Sequence, residues 1–168
     1  MAVSPAKDTS NGANVIMWTP NHEILMVRHT YGSRRWALPG GGIQESETAV
    51  QACLRELFEE TGISPQCDMK LVALLAQRTK ITGAMQYGLL ALYSTPSLYK
   101  GTIAPDAGEV SEVRFMTLRE IFCGPELVGL GYKRMIAIWK RQLHTTCVHD
   151  GALSTQVSIF LDGQVLYI

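Results

Sequence analysis

A glycine-rich break followed at once by an acidic helix pattern is the feature that most constrains this fold. Residues 39–42, Pro-Gly-Gly-Gly, interrupt regular structure sharply. Ser46 is a suitable N-cap, Glu47 favours the positive end of a helix, and Gly62 is a natural C-cap. The sequence therefore predicts a loop, then a helix over about residues 47–61, then a turn.

Three glutamates share one face of this predicted helix. Glu56, Glu59 and Glu60 lie three or four residues apart, so their side chains project together. Small residues continue that face and apolar residues, expected to pack into the core, lie opposite: Ala49, Ala52 and Cys53, against Val50, Leu54, Leu57 and Phe58. Like charges at this spacing repel, and a hard divalent cation would relieve the repulsion. The alternative is an ordinary solvated acidic face.

Nine positions between residues 41 and 63 match a known pattern. They are Gly41, Glu47, Arg55, Glu56, Leu57, Glu59, Glu60, Gly62 and Ile63. They resemble the Nudix box, which reads Gly, five residues, Glu, seven residues, then Arg-Glu-aliphatic-x-Glu-Glu-x-Gly-aliphatic. Every position fits without an insertion, over 23 of the 168 residues. The resemblance implies an α/β fold, the Nudix α/β/α sandwich, with a mixed β-sheet between helices.

The resemblance also implies a metal centre. Glu56, Glu59 and Glu60 would be ligands of Mg²⁺, which Mn²⁺ could replace, and the backbone carbonyl of Gly40 would be a further ligand. Glu47 would lie close to the metal cluster or stabilise the loop–helix–loop. The implied reaction is hydrolysis of a diphosphate linkage in a nucleoside diphosphate derivative, by attack of metal-activated water on phosphorus.

The roles of the carboxylates in proton transfer stay open at this point. Arg55 would orient Glu56 rather than bind metal. Family members use either a box glutamate, here Glu56, or a glutamate from a later loop as general base, and Glu59 is also expected to be a catalytic residue. Glu109 follows a Gly/Pro-rich loop and is the candidate outside the box, with Glu112 as the second choice. Both could equally be surface charges at a strand edge.

Several residues outside the box could contact substrate. Arg28, Arg34 and Arg35 precede the glycine-rich break and could neutralise phosphates, Arg78 and Lys80 share a strand face and could line a cleft, and Tyr87 and Trp36 could stack on a base. Solvated surface arginines are the alternative for the basic residues. Trp36 is expected in the core, because it precedes the Leu-Pro that anchors the break.

The substrate is not fixed by these motifs. A nucleoside triphosphate, a nucleotide sugar, a dinucleoside polyphosphate and ADP-ribose all remain candidates, as does a non-catalytic nucleotide-binding regulator. Fifteen basic residues balance fifteen acidic ones, so bulk charge gives no reason to expect nucleic acid or an anionic membrane as partner. RNA ends are not excluded, since a few Nudix enzymes act on them.

The rest of the chain suits one domain. Residues 1–12 resemble a flexible lead, and residues 13–168 a single domain with an extension over 144–168. Strands are expected at 14–18, 23–29 (half-buried), 70–81, 85–94 and 110–116, with a helical turn at 118–122 and a helix from about Pro125 to Leu143. Strands 156–161 and 164–168 flank Asp162-Gly163, which predicts a terminal hairpin that packs on the sheet or on a second subunit of a homodimer. Four cysteines without metal or redox spacing indicate reduced thiols, and the absence of a signal-like or membrane-spanning stretch indicates a cytoplasmic protein.

Overall fold

The structure is a computed structural model that describes residues 11–81, 84–99, 103–104, 108–140 and four short terminal strands. Side chains of residues 77–81 and 84–87 and of the terminal strands are outside this description. The elements in chain order are β1 Gly12–Trp18, β2 Ile24–His29, β3 Trp36–Ala37, β4 Gly40–Gly42, α1 Ala49–Thr61, β5 Lys70–Ile81, β6 Ala84–Pro96, β7 Val110–Met116, α2 Leu118–Cys123, α3 Leu130–Trp139, β8 Cys147–His149, β9 Ala152–Ser154, β10 Ser158–Leu161 and β11 Gln164–Tyr167.

The first seven strands form one mixed sheet. Its order is β3-β2-β1-β6-β5, with β4 also paired to β1 and β7 also paired to β2. Strands β1 and β6 run parallel, and the other pairs are antiparallel. The predicted mixed sheet is confirmed. The prediction of a loop at the glycine-rich break is wrong for residues 40–42, which form β4 and pair with the start of β1 beside α1. Glycines pair in a strand where another part of the backbone approaches closely.

Helices cover both faces of the sheet, as an α/β/α sandwich requires. One apolar cluster joins the sheet to α2 and α3 and includes Ile24, Met26 and Ile136. The other joins the sheet to α1 and includes Leu25 and Leu57. Ile24 and Met26 of β2 lie in the first cluster, Leu25 lies in the second and Val27 in a third, so the strand is buried on both faces and not half-buried as predicted. The prediction took the strand to have one solvated face, which a sheet between two helical layers does not leave.

A capping box begins α1 two residues later than predicted. Thr48 Oγ1 accepts the N–H of Gln51 at 3.2 Å, and the Gln51 side chain accepts the N–H of Thr48 at 2.8 Å. Ser46, the predicted cap, lies outside the helix with a φ of 66°. Both hydroxyls can cap a helix, and Gln51 selects Thr48 because it returns the hydrogen bond. The predicted C-cap, Gly62, is confirmed.

The cap can be tested by two matched substitutions. Thr48→Ala should lower the free energy of unfolding by about 1 kcal/mol, because the N–H of Gln51 loses its acceptor. Ser46→Ala should change it little, since the structure gives the Ser46 side chain no capping role. Chemical denaturation of both variants measures the difference. Equal losses would mean that the helix starts at Ser46 after all.

The buried face of α1 is its small-residue face, which corrects the sequence prediction. Ala52, Cys53 and Leu57 are fully buried, whereas Leu54 and Phe58 are 39% and 59% exposed. The helix packs mainly on β1 and β4. Strand β1 contributes Ala13, Val15 and Met17 to the shared cluster, and β4 consists only of glycines, which allow the helix a close approach. The acidic residues therefore flank this contact instead of lying opposite the core.

The other elements agree with the sequence within a few residues. Strands β5 and β7 have the predicted bounds, and α3 ends its described course at Trp139, before residue 143. Leu161 pairs with Gln164, so β10 and β11 form the predicted antiparallel hairpin around residues 162–163. The packing of this hairpin and the division into a lead and one domain stay predictions. Within the described part of the chain, no helix is long and apolar enough to cross a membrane, and Cys53, Cys67 and Cys123 are free thiols.

Candidate active site

Arg55 is the centre of the site on α1. Its Nε and Nη2 donate to the two carboxylate oxygens of Glu47 at 2.8 and 3.0 Å, and Nη2 also donates to the Gly42 carbonyl at 3.0 Å. Its Nη1 donates to Glu56 at 2.7 Å and to Glu59 at 3.1 Å. One guanidinium thus ties three carboxylates and the glycine-rich break together.

Glu47 acts in this arrangement as a brace for the loop before α1. Besides Arg55, its carboxylate accepts the backbone N–H of Gln44 at 2.9 Å. The Arg55 hydrogen bond, and then that of Gln44, hold the pKa of Glu47 below its ordinary value. Of the two roles that the resemblance allows, these contacts match stabilisation of the loop–helix–loop.

Glu56 lies against a glycine that leaves space for it. A Cβ added at Gly41 would lie 2.7 Å from Cδ of Glu56, closer than side-chain atoms approach. Burial raises the pKa of Glu56, while the Arg55 guanidinium opposes that rise and the charges of Glu60 and Glu59 add to it. The protein thus keeps a partly desolvated carboxylate beside other carboxylates, which costs stability unless a cation offsets it.

Glu60 is the most enclosed carboxylate of the helix. Its side chain is only 5% exposed, and each of its oxygens has one donor. Oε1 lies 2.6 Å from Nε2 of His29, and Oε2 accepts the backbone N–H of Gly40 at 3.1 Å. Gly40 has a φ of 148°, and a Cβ there would lie 2.7 Å from Cα of Asn14, so only glycine fits this turn.

The donor set suits a hard divalent cation, although the described residues do not form a ready-made cage. No three Asp, Glu, His or Cys side chains within the described ranges converge closely enough to hold a metal. Glu59 is 55% exposed and turned to Arg55, and Glu60 is turned to His29. Carboxylate oxygens on successive helical turns, with a glycine clearing the space at Glu56, are the chemistry that Mg²⁺ or Mn²⁺ requires.

Comparison with known proteins assigns the family. The model of the NUDIX domain matches residues 8–137, more than half of the chain. The chain belongs to the Nudix family. Segments of the chain are similar to proteins named RNA pyrophosphohydrolase. The identity is 52% over 58 residues for the protein of Pasteurella multocida and 45% over 53 residues for that of Vibrio atlanticus. These segments cover 34% and 32% of this chain, and only 28% and 30% of those relatives.

Solved Nudix structures share the fold at low sequence identity. The Nudix domain of Shewanella oneidensis NrtR, solved with ADP ribose, has a TM-score of 0.67 at 19% identity and covers 80% of this chain and 88% of that one. A MutT Nudix hydrolase from Burkholderia pseudomallei has a TM-score of 0.65 at 16% identity, with 77% and 97% covered. The predicted Nudix sandwich is therefore confirmed.

The arginines predicted to contact phosphate, Arg28, Arg34 and Arg35, lie near the end of β2 and in the loop that follows it. Arg28 pairs with Glu112 at 2.9 Å and donates to the Arg34 carbonyl at 3.1 Å. An open groove of about 380 Å³ is lined by Arg28, His29, Thr30, Arg34, Ser111 and Glu112. Arg35 is exposed and does not line it. The groove adjoins the carboxylates because His29 contacts Glu60 from its floor.

Four further residues were predicted as possible substrate contacts: Trp36, Tyr87, Arg78 and Lys80. Trp36 is buried, with Arg114 over its ring at 4.9 Å and its Nε1 donating to Glu126 at 2.9 Å, so the core role is confirmed and base stacking is wrong. Arg78 and Tyr87 are cross-strand partners in the β5–β6 hairpin. Their side chains, and that of Lys80, lie outside the described residues.

The two candidate bases outside the Nudix box have different surroundings. Glu112 is engaged by Arg28, as an ion pair on adjacent strands. Glu109 precedes β7, and its carbonyl accepts the N–H of Thr30 at 2.9 Å. The Glu60 hydrogen bond raises the pKa of His29, and the charge of Glu109 adds to that rise.

Sequence reasoning missed His29. The alternation of β2 places Leu25, Val27 and His29 on one face, and Leu25 packs in the α1 cluster. That alternation was visible in the sequence. The sequence did not show how the strands pair, and this pairing brings the end of β2 to the last turn of α1.

Arg55→Lys should separate geometry from charge. Lysine keeps the positive charge but cannot hold Glu47, Glu56 and Glu59 at once, so we expect kcat to fall roughly 10- to 100-fold. Steady-state kinetics measure the change, with Arg134→Lys on the exposed side of α3 as the matched control. Equal activity of the two variants would mean that Arg55 contributes charge alone.

Proposed function

We propose that this chain is a pyrophosphohydrolase that cleaves a diphosphate linkage in a nucleoside diphosphate derivative, with Mg²⁺ bound by Glu56, Glu59 and Glu60. One observation carries the proposal. A partly buried carboxylate, Glu56, is kept in a space that Gly41 clears and is oriented by Arg55. The membership in the Nudix family supports the same reaction class.

The residues of the chain have separable tasks in this proposal. Mg²⁺, when bound, would supply hydroxide near neutral pH and offset charge on the transferring phosphoryl group. Arg55 fixes the carboxylates of Glu56 and Glu59, and the N–H of Gly40 fixes that of Glu60. The carbonyl of Gly40 would be a further metal ligand. Arg28 and Arg34 line the adjoining groove and would bind the phosphates that are not attacked.

Glu109 is our candidate for the general base, ahead of Glu112. A base must be free to take a proton from water within hydrogen-bond reach. Glu112 is held by Arg28, which occupies one of its oxygens. Glu109 stands at the same end of β7 without that ion pair among the described contacts, and its charge acts on His29. Glu56 would serve if Glu109 does not.

The 5′ end of an RNA is the substrate that a specific observation favours. The matched relatives in Pasteurella multocida and Vibrio atlanticus are both named RNA pyrophosphohydrolase, and local identity reaches 52%. The paired groove arginines are suited to a chain of phosphates. A nucleoside triphosphate carries the same chain of phosphates on a single nucleotide. The predicted cytoplasmic location and homodimer belong to this proposal as well.

A substrate panel with Mg²⁺ tests the proposal. It should contain 5′-triphosphorylated RNA, nucleoside triphosphates, ADP-ribose, a dinucleoside polyphosphate and a nucleotide sugar, with phosphate and pyrophosphate release as the measurement. We expect turnover of at least one substrate that stops on chelation of the metal. RNA turnover without turnover of free triphosphates would assign RNA ends.

The control for the panel is a pair of glutamate variants. Glu60→Gln should abolish the release, and Glu23→Gln, in the turn between β1 and β2, should not. Tight nucleotide binding with no turnover across the panel would overturn hydrolysis and favour a regulatory binding module.

A further inference from the structure

His29 contacts the catalytic helix through a single short hydrogen bond. Its Nε2 lies 2.6 Å from Oε1 of Glu60. A carboxylate oxygen only accepts, so Nε2 carries the proton and donates it. The ring also lies 5.1 Å from that of Tyr31, tilted by 38°, which limits its rotation on the solvent side.

The backbone around His29 is held on both sides. Before it, Ser111 Oγ donates to the Arg28 carbonyl at 2.9 Å, at a β-bulge where Ser111 is skipped in the pairing of β2 with β7. After it, the N–H of Thr30 donates to the Glu109 carbonyl at 2.9 Å. Bulges near active sites re-aim side chains. His29 is therefore presented by a strand that has little freedom to shift.

Among the described residues, two contacts fix Glu60 and leave spare acceptor capacity. His29 takes one lone pair of Oε1, and the Gly40 N–H takes one of Oε2. A carboxylate has about four acceptor positions, so roughly two stay available to a ligand. Two donors from two different strands fix the carboxylate's plane, because each alone would leave rotation about Cγ–Cδ.

We propose that His29 is a positioning residue, which with the N–H of Gly40 orients the Glu60 carboxylate for the divalent cation. The inference deepens the proposed function and rests on it. His29 also lines the groove, but a residue that acts through a metal ligand weakens metal binding when it is lost and lowers kcat more than it changes KM. Arg28, the neighbouring residue in β2, faces the groove and has a different task.

Two substitutions at position 29 separate the hydrogen bond from packing. His29→Leu removes the donor and keeps an apolar body of similar size. His29→Gln places an amide nitrogen at about the reach of Nε2 and should rescue the effect. His22, at the turn before β2, supplies the matched control, because His22→Gln changes a histidine that contacts Lys140 and not the site.

The expected results are specific. His29→Leu should weaken Mn²⁺ binding, measured by electron paramagnetic resonance, and lower kcat, each about 10- to 100-fold, with KM changed little. His29→Gln should recover most of both, and His22→Gln should match the unsubstituted protein. Equal losses in His29→Leu and His29→Gln, or a loss confined to KM, would overturn the positioning role.

A readout without metal or substrate keeps this inference apart from the proposed function. In ¹⁵N-histidine-labelled protein, two-bond proton–nitrogen spectra should show the proton of His29 on Nε2. A proton on Nδ1 alone would overturn the hydrogen bond itself. If the unsubstituted protein bound no Mn²⁺ and hydrolysed nothing while Nε2 was protonated, the proposed function would fail although the contact stood.

Discussion

Replacing Glu56 with glutamine is expected to lower kcat about 100- to 1000-fold without loss of the fold. Glutamine has the same shape and can still accept from Arg55, but it carries no charge for a cation. Burial raises the pKa of Glu56, so its ionised form is disfavoured in the folded protein. Removing that charge should therefore leave Tm in metal-free buffer unchanged or higher.

Divalent-dependent stabilisation is the second readout for this variant. A cation that binds only the folded state raises Tm, and the size of the rise follows its affinity. We expect Mg²⁺ to raise Tm of the unsubstituted protein and to have little effect on Glu56→Gln. Glu45→Gln, an exposed carboxylate in the loop before α1, is the control. A Glu56→Gln variant with full activity would refute the proposed metal centre.

The sequence predicted the acidic helix well because the determining signals are local. Glycines lie before and after the helix, and the spacing of the carboxylates shows which of them share a face. The start was misplaced by two residues because Ser46 and Thr48 are equally good caps in isolation. Gln51 decides between them through the reciprocal hydrogen bond.

The packing face of α1 could not be predicted from hydrophobicity alone. Leu54 and Phe58 are the larger apolar residues, yet they are exposed, and Ala52 and Cys53 are buried. The deciding factor is the partner surface, where the glycines of β4 admit a close helix. The sequence pattern shows which helical residues are apolar, but the shape of the sheet surface determines which of them can pack against it.

Contacts between distant segments were the part that sequence reasoning could not supply. His29 and Glu60 are 31 residues apart, and their meeting depends on β2 lying next to β1 and on α1 packing against β1 and β4. Arg28 was predicted to bind phosphate, and its ion pair with Glu112 also required the register of β2 against β7. The sequence identifies chemical groups, whereas strand order determines which of them meet.

Adding one methyl group at Gly41 is expected to disable the site while sparing the fold. In Gly41→Ala the new Cβ would lie 2.7 Å from Cδ of Glu56, so the carboxylate must move. Such a move should cost little stability, since the displaced atoms are the end of a side chain and not backbone. It is costly for catalysis, because a displacement of about 1 Å of a positioned group can cost about 100-fold in rate. We therefore expect kcat about 100-fold lower and Tm within a few degrees of the unsubstituted protein.

Gly42→Ala is the matched control, one residue further along β4. A Cβ there meets no atom within 4 Å, so the added methyl group has the same effect on backbone entropy but displaces nothing. Its carbonyl still accepts from Arg55, because the substitution leaves the backbone in place. We expect near-normal kcat in Gly42→Ala. If both alanine variants lost activity equally, the stiffness of the glycine-rich break would be the cause, and the space around Glu56 would not.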